Sequence, residues 1–146
     1  MKKIILAALI MSSSFTLLAA EEPIVNEKVL NAFHKTFGQP NDVKWSESPN
    51  SYEVKFKMDE TTSRITYDKE GNILKTYRYY KEEQLPLMIM AKLKQKYNDK
   101  KVFGVVEVAS EEGTFYHITL EDAKNWLEVK ADTYGEISIQ KKFRKA

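Results

Sequence analysis

The chain has no cysteine. Neither a disulfide-stapled miniprotein nor a lipid anchor on a mature N-terminal cysteine is open to it, and any metal site would have to come from histidines and carboxylates. Glycine and proline are also sparse, at 5 and 4 of 146 residues, while 42% of the side chains are apolar. That balance excludes a collagen-like chain and a charge-driven disordered one. A charge excess is missing too: 23 Lys+Arg stand against 21 Asp+Glu, and two of the basic residues, Lys2 and Lys3, fall in the first twenty positions. Beyond those twenty, 21 basic residues face 21 acidic ones. Contact with a phosphate backbone normally needs a basic surplus, so nucleic acid is not an expected partner.

What is present begins with an export signal. Met1-Lys2-Lys3 is a short positive segment, Ile4 to Met11 is an apolar run, and Ser12 to Leu18 extends it to Ala19-Ala20 before Glu21-Glu22. That order is the order of a secretory signal peptide. The apolar stretch of about 15 residues is shorter than the ~20 that span a bilayer, and the first charges after it are acidic rather than a basic stop-transfer flank. Residues 1–20 are therefore expected to be cleaved as a signal peptide. This leaves a periplasmic or secreted chain, residues 21–146, with no integral membrane segment and only core burial to stabilise it.

The remainder reads twice. Asn26 is a good N-cap, and Val29, Leu30, Phe33 and Phe37 follow at helical spacing before Gly38 and Pro40, which predicts a helix over 27–37. Pro86 stands where a first helical residue would, and Ile89, Met90, Leu93 and Tyr97 predict a second helix over 86–97. The two stripes superimpose at one constant offset. After each helix comes a strand, Asp42 to Glu47 and Val102 to Ala109, then turn residues, then an alternating strand: Tyr52, Val54 and Phe56 in one copy, Tyr116, Ile118 and Leu120 in the other. From there the offset is four residues larger. Arg64 to Tyr67 and Glu128 to Ala131 each lead into an Asp-x-x-Gly turn, and last strands begin at Ile73 and Ile137. The expected fold is α+β: tandem helix-plus-four-strand repeats, about 26–80 and 85–146, forming antiparallel sheet with both helices on one face.

Trp45, the Tyr52-x-Val54-x-Phe56 strand, the run Ile65 to Asn72, Lys75-Thr76-Tyr77-Arg78 and the Leu85-Pro86 helix start resemble the PepSY-like, beta-lactamase-inhibitor-like proteins exported by Bacteroidetes-type bacteria. The likeness covers roughly residues 26–146. It implies tandem helix-plus-four-strand repeats, a periplasmic or secreted location, and a binding or inhibitory role without an assigned catalytic residue. The beta-lactamase inhibitor proteins themselves are disulfide-bonded, whereas this chain has no cysteine. The resemblance thus carries over architecture and no site residues.

Residues for chemistry are few. His34 and His117 are the two histidines and lie in different repeats, so no metal is expected. Asp68, Glu70 and Asn72 hint at a calcium loop, but Gly71 stands fourth where an EF-hand needs its glycine sixth, and a hairpin turn fits better. There is no Gly-x-Ser-x-Gly elbow and no glycine-rich phosphate loop. Glu47 and Glu107 occupy equivalent repeat positions, which duplication alone explains. No catalytic residue and no cofactor are expected.

Surface pattern remains. If Tyr52, Val54, Phe56 and their repeat mates face the helices, the opposite face carries Phe115, His117, Trp126 and Lys130, and Arg78 and Tyr80 fall on the corresponding side of their strand. Outward Phe115 and Trp126 stand where the first copy has Ser51 and Thr62, and aromatics beside cations are what protein-recognition hot spots use. The expected function is a non-enzymatic binding module for an envelope protein or peptide. The alternative is a carrier for a small apolar molecule, held between sheet and helices by Phe33, Met88, Met90 and Tyr97. Phe143 continues the inward alternation of Ile137 and Ile139, so the basic ending is expected to be a solvated terminal strand.

Overall fold

The computed structural model describes residues 23–146, so the export signal expected over residues 1–20 lies outside the described residues. Two α-helices and eight strands follow in the expected order: α1 (Glu27–Phe37), β1 (Asn41–Ser48), β2 (Ser51–Met58), β3 (Thr61–Asp68), β4 (Ile73–Tyr80), α2 (Leu87–Lys96), β5 (Lys101–Ser110), β6 (Gly113–Glu121), β7 (Asn125–Asp132) and β8 (Ile137–Arg144). The strands form one open antiparallel sheet in sequence order, with β1 and β8 at its edges. Among the described residues no helix is long and apolar enough to cross a membrane.

The local chemistry accounts for the helix ends. Asn26 Oδ1 accepts from the Val29 amide at 3.0 Å, and Asn26 Nδ2 donates to the Lys69 carbonyl at 2.9 Å, so the cap also fastens α1 to the β3–β4 turn. Gly38, at φ 68°, ends the helix. The second helix is one residue shorter at each end than the sequence predicts. Pro86 keeps an extended ψ of 134°, and Tyr97 leaves the helical region at φ −134°.

The two Asp-x-x-Gly turns are held alike. Asp68 Oδ1 accepts from the Glu70 and Asn72 amides at 2.9 and 2.8 Å, as Asp132 Oδ1 does from Tyr134 and Glu136, both at 2.9 Å. These hydrogen bonds hold the Asp68 carboxyl below its usual pKa, with Asn72 the chief cause. The change of repeat offset also has a location. Glu47 faces Tyr52 and Glu107 faces Tyr116, after which the first hairpin adds one residue pair and the second adds three.

Both helices lie on one face and bury two adjoining cores. Val29 and Phe33 of α1 pack on Tyr52, Val54, Phe56, Ile65 and Tyr67; Ile89 and Leu93 of α2 pack on Val105, Tyr116, Ile118, Leu120, Leu127, Val129 and Ala131. Each of the valine, leucine, isoleucine and phenylalanine side chains among them contributes roughly 1.5–3 kcal/mol by leaving water. Tyr80, from the last strand of the first repeat, belongs to the second core, and β4 and β5 share six facing residue pairs. The two halves are thus joined by backbone ladder and by packing.

Four irregularities reset which side chains face the helices, the first of them a slip of the β1–β2 register between Asn41 and Lys44. The β3–β4 register slips between Thr66 and Tyr67, the β7–β8 register between Glu128 and Val129, and the β5–β6 register between Val102 and Gly104. Each β-bulge adds one residue to one strand and reverses the alternation beyond it.

Candidate partner-binding face

On the side away from the helices, the strand registers align two rows of side chains. One runs Lys57, Thr62, Tyr79, Val106, His117, Lys130, Ser138, and the other runs Lys55, Arg64, Tyr77, Val108, Phe115, Asp132. Neighbouring strands lie about 4.8 Å apart, so the stretch from β3 to β7 spans roughly 20 Å. At its centre Tyr77, Tyr79, Val106, Val108 and Phe115 form a half-buried apolar patch that no helix covers. A second patch lies towards the β7–β8 edge. There the Phe103 and Trp126 rings meet edge to face at 4.8 Å, and Phe143 stands directly across from Trp126. Phe103 is 50% exposed and Phe143 38%.

Cations lie over most of these rings. Lys130 Nζ is 3.8 Å from the Phe115 centroid, Lys145 Nζ is 4.4 Å from Trp126 and Arg64 Cζ is 4.3 Å from Tyr77, with Lys141 over Phe143 at 5.2 Å. Long basic side chains lay their methylenes along aromatic surface and keep the charge wet, so the rings are partly shielded until something displaces that cover. Partial desolvation among these neighbours, with Lys130 adding to the effect, holds the His117 imidazole below its ordinary pKa.

Of the six residues proposed from the sequence, Phe115, His117, Trp126 and Lys130 share this face. Arg78 and Tyr80 do not, and the expectation that they join the others is corrected. The bulge after Tyr67 reverses the parity of β4, so Arg78 faces the buried Ser63 and Tyr80 enters the second core. There Arg78 Nη1 donates to both oxygens of Glu107 at 3.2 Å, and the Tyr80 hydroxyl donates to Glu107 Oε2 at 2.7 Å. Burial, and then this carboxylate, pushes the Tyr80 phenol well above its usual pKa.

The β7–β8 bulge likewise turns Phe143 outward, against the inward alternation expected for it. Sequence reading missed Tyr77, Tyr79, Phe103 and Phe143 on this face. Gly104 inside a strand was an available sign of the bulge that releases Phe103, whereas nothing in β4 marks its slip.

Two other expectations concern the covered side. Glu47 and Glu107 are repeat equivalents, but Glu47 is bound by Lys69 Nζ at 2.6 Å on edge strand β1, which three intervening strands separate from β5. They are too far apart to act as an acid–base pair. The apolar pocket assigned to Phe33, Met88, Met90 and Tyr97 does not form: Phe33 is in the first core, Met90 and Tyr97 pack against the second, and Met88 is 59% exposed. A cleft of about 550 Å³ exists elsewhere, lined by residues including Phe37, Phe56, Met58, Ser63, Thr76 and Arg78. His34 Nδ1 contacts the Gly38 carbonyl at 2.9 Å. Among the described residues no three His, Asp or Glu side chains gather as metal ligands would.

Comparison with known proteins follows this architecture. Residues 18–75 and 50–138 each match the family described as "Putative beta-lactamase-inhibitor-like, PepSY-like". Among solved structures, a BLIP-like protein from Bacteroides fragilis superimposes with a TM-score of 0.62 at 18% identity, covering 84% of this chain and 87% of that one. A structure from Bacteroides eggerthii described as "putative periplasmic proteins" gives 0.62 at 14%, covering 84% and 90%. A DUF2874 family protein from Bacteroides ovatus gives 0.62 at 16%, covering 84% and 89%. At these identities the structural likeness establishes the fold alone. No curated protein matches the chain. The two family matches overlap and together span residues 18–138, and the chain belongs to the PepSY-like, beta-lactamase-inhibitor-like family.

Proposed function

We propose that this chain is a non-enzymatic binding module, exported to the periplasm or beyond by residues 1–20, whose domain over 21–146 captures an envelope protein or peptide on the open face of its sheet. The observation that carries the reading is the uncovered patch of Tyr77, Tyr79, Val106, Val108 and Phe115 beside Trp126, Phe103 and Phe143. One face of the sheet is closed by helices, and the other displays aromatic surface under movable cations. Steric occlusion of the partner is the mechanism. The inhibitor-like description of the family and the periplasmic description of a structural relative agree with this reading. Phe115, Trp126, His117 and Lys130 are the proposed contacts.

The test is a pull-down from the native envelope with the mature protein and its Phe115→Ala/Trp126→Ala variant as parallel baits. Hot-spot truncations cost 2 kcal/mol or more, about 30-fold in affinity for each residue. Capture by the parent and its loss in a variant of nearly unchanged melting temperature is the expected result. Equal capture by both baits refutes the assignment of the face, as does a variant that melts as early as a core substitution.

A further inference from the structure

The β4–β5 seam inside the chain has a counterpart at the edges of the sheet. Strand β8 is the repeat equivalent of β4, and β1 is the equivalent of β5, yet β8 pairs only with β7 and β1 only with β2. The equivalence holds residue by residue. Lys142 faces Leu127 as Arg78 faces Ser63, and Phe143 faces Trp126 as Tyr79 faces Thr62; Glu47 faces Tyr52 as Glu107 faces Tyr116. We infer that the β8 edge of one copy receives the β1 edge of a second copy in the register of the internal seam, joining molecules head to tail.

Charge supports that register. The internal seam sets Arg78 opposite Glu107 as a hydrogen-bonded ion pair. Transferred to the edges, it sets Lys142 opposite the second copy's Glu47, two side chains of opposite sign on the helix side of the sheet. The next positions also fit. Phe143 falls against Ser46, and Arg144 against the half-buried Trp45, a cation beside an aromatic ring. The ladder is short because Lys145 then meets Lys44, a like-charge pair that limits its length and strength. An unpaired β-edge is a template for another strand, and one that joins unlike edges gives a heterologous contact capable of propagation. The open face stays free and becomes continuous from copy to copy, so this inference does not depend on the function proposed above.

Sedimentation velocity over a concentration series tests it with the parent chain, Glu47→Lys, Lys142→Glu, and an equimolar mixture of the two variants. The parent is expected to associate as concentration rises. Each variant alone places like charges across the seam and is expected to associate about tenfold more weakly, and the mixture to recover, because opposite signs meet at every junction again. The missing native cysteine permits a second readout of register. Ser46→Cys mixed with Phe143→Cys under mild oxidation should give far more cross-linked heterodimer than either homodimer. A parent that stays monomeric throughout, a mixture no better than its components, or a statistical yield of cross-linked species overturns the inference.

Discussion

Phe33→Ala is the most informative single perturbation of this fold. Phe33 is fully buried, and its ring lies 5.6 Å from Phe37, 5.3 Å from Trp45 and 5.2 Å from Phe56. Truncating a buried phenylalanine costs about 3–5 kcal/mol through lost transfer energy and residual cavity, and three aromatic neighbours argue for the upper half of that range. Against a typical total of 5–15 kcal/mol, a loss of ~4 leaves a marginal protein. The described chain runs over residues 23–146, and at ~2.1 cal/mol/K per residue the entropy of unfolding converts that loss into a fall of about 15 °C in melting temperature. Circular dichroism measures the shift, and single-tryptophan versions show where it acts. Trp45 reports the first core and Trp126 the second repeat. Both reporters are expected to shift together, because Tyr80 packs in the second core and β4 and β5 share six residue pairs. A drop below about 5 °C would show that the core closes around the deletion. A Trp126 transition left in place while that of Trp45 moves would show that the halves unfold independently.

Two further outcomes follow from the same packing. Gly71 has φ 92°, and a Cβ there would stand 3.1 Å from the Lys28 carbonyl oxygen and 3.3 Å from Ala32 Cβ, whereas one at Gly38, φ 68°, would meet nothing within 4 Å. Gly71→Ala should therefore cost about 2–3 kcal/mol in denaturant titration and Gly38→Ala only about 1; equal costs would remove crowding by α1 as the cause. In alkali, burial raises the phenol pKa of Tyr67 to about 12 and holds those of Tyr80 and Tyr116 above their usual value. The folded state keeps protons there that the unfolded chain releases, so stability is full below pH 10 and declines as pH rises beyond it. Absorbance at the phenolate band should show these three of the eight tyrosines ionising late, with unfolding; eight tyrosines titrating together near pH 10 would contradict their burial.

The duplication itself was legible because a helix stripe and a strand alternation are one-dimensional patterns, fixed by periods of 3.6 and 2. Asn26, Gly38 and the two Asp-x-x-Gly turns mark element boundaries with side chains that act on the adjacent backbone, so local sequence determined them. Phe115, His117, Trp126 and Lys130 were placed correctly because β6 and β7 pair without a slip. The positions of Arg78, Tyr80 and Phe143 could not be read the same way. Alternation predicts a face only while the ladder stays in register, and the bulges in β4 and β8 depend on how the neighbouring strand pairs. The tertiary structure likewise decided that Tyr80 would fasten the first repeat into the core of the second, and that Phe103 would meet Trp126, because both contacts join residues distant in sequence across a sheet whose twist and register are properties of the whole.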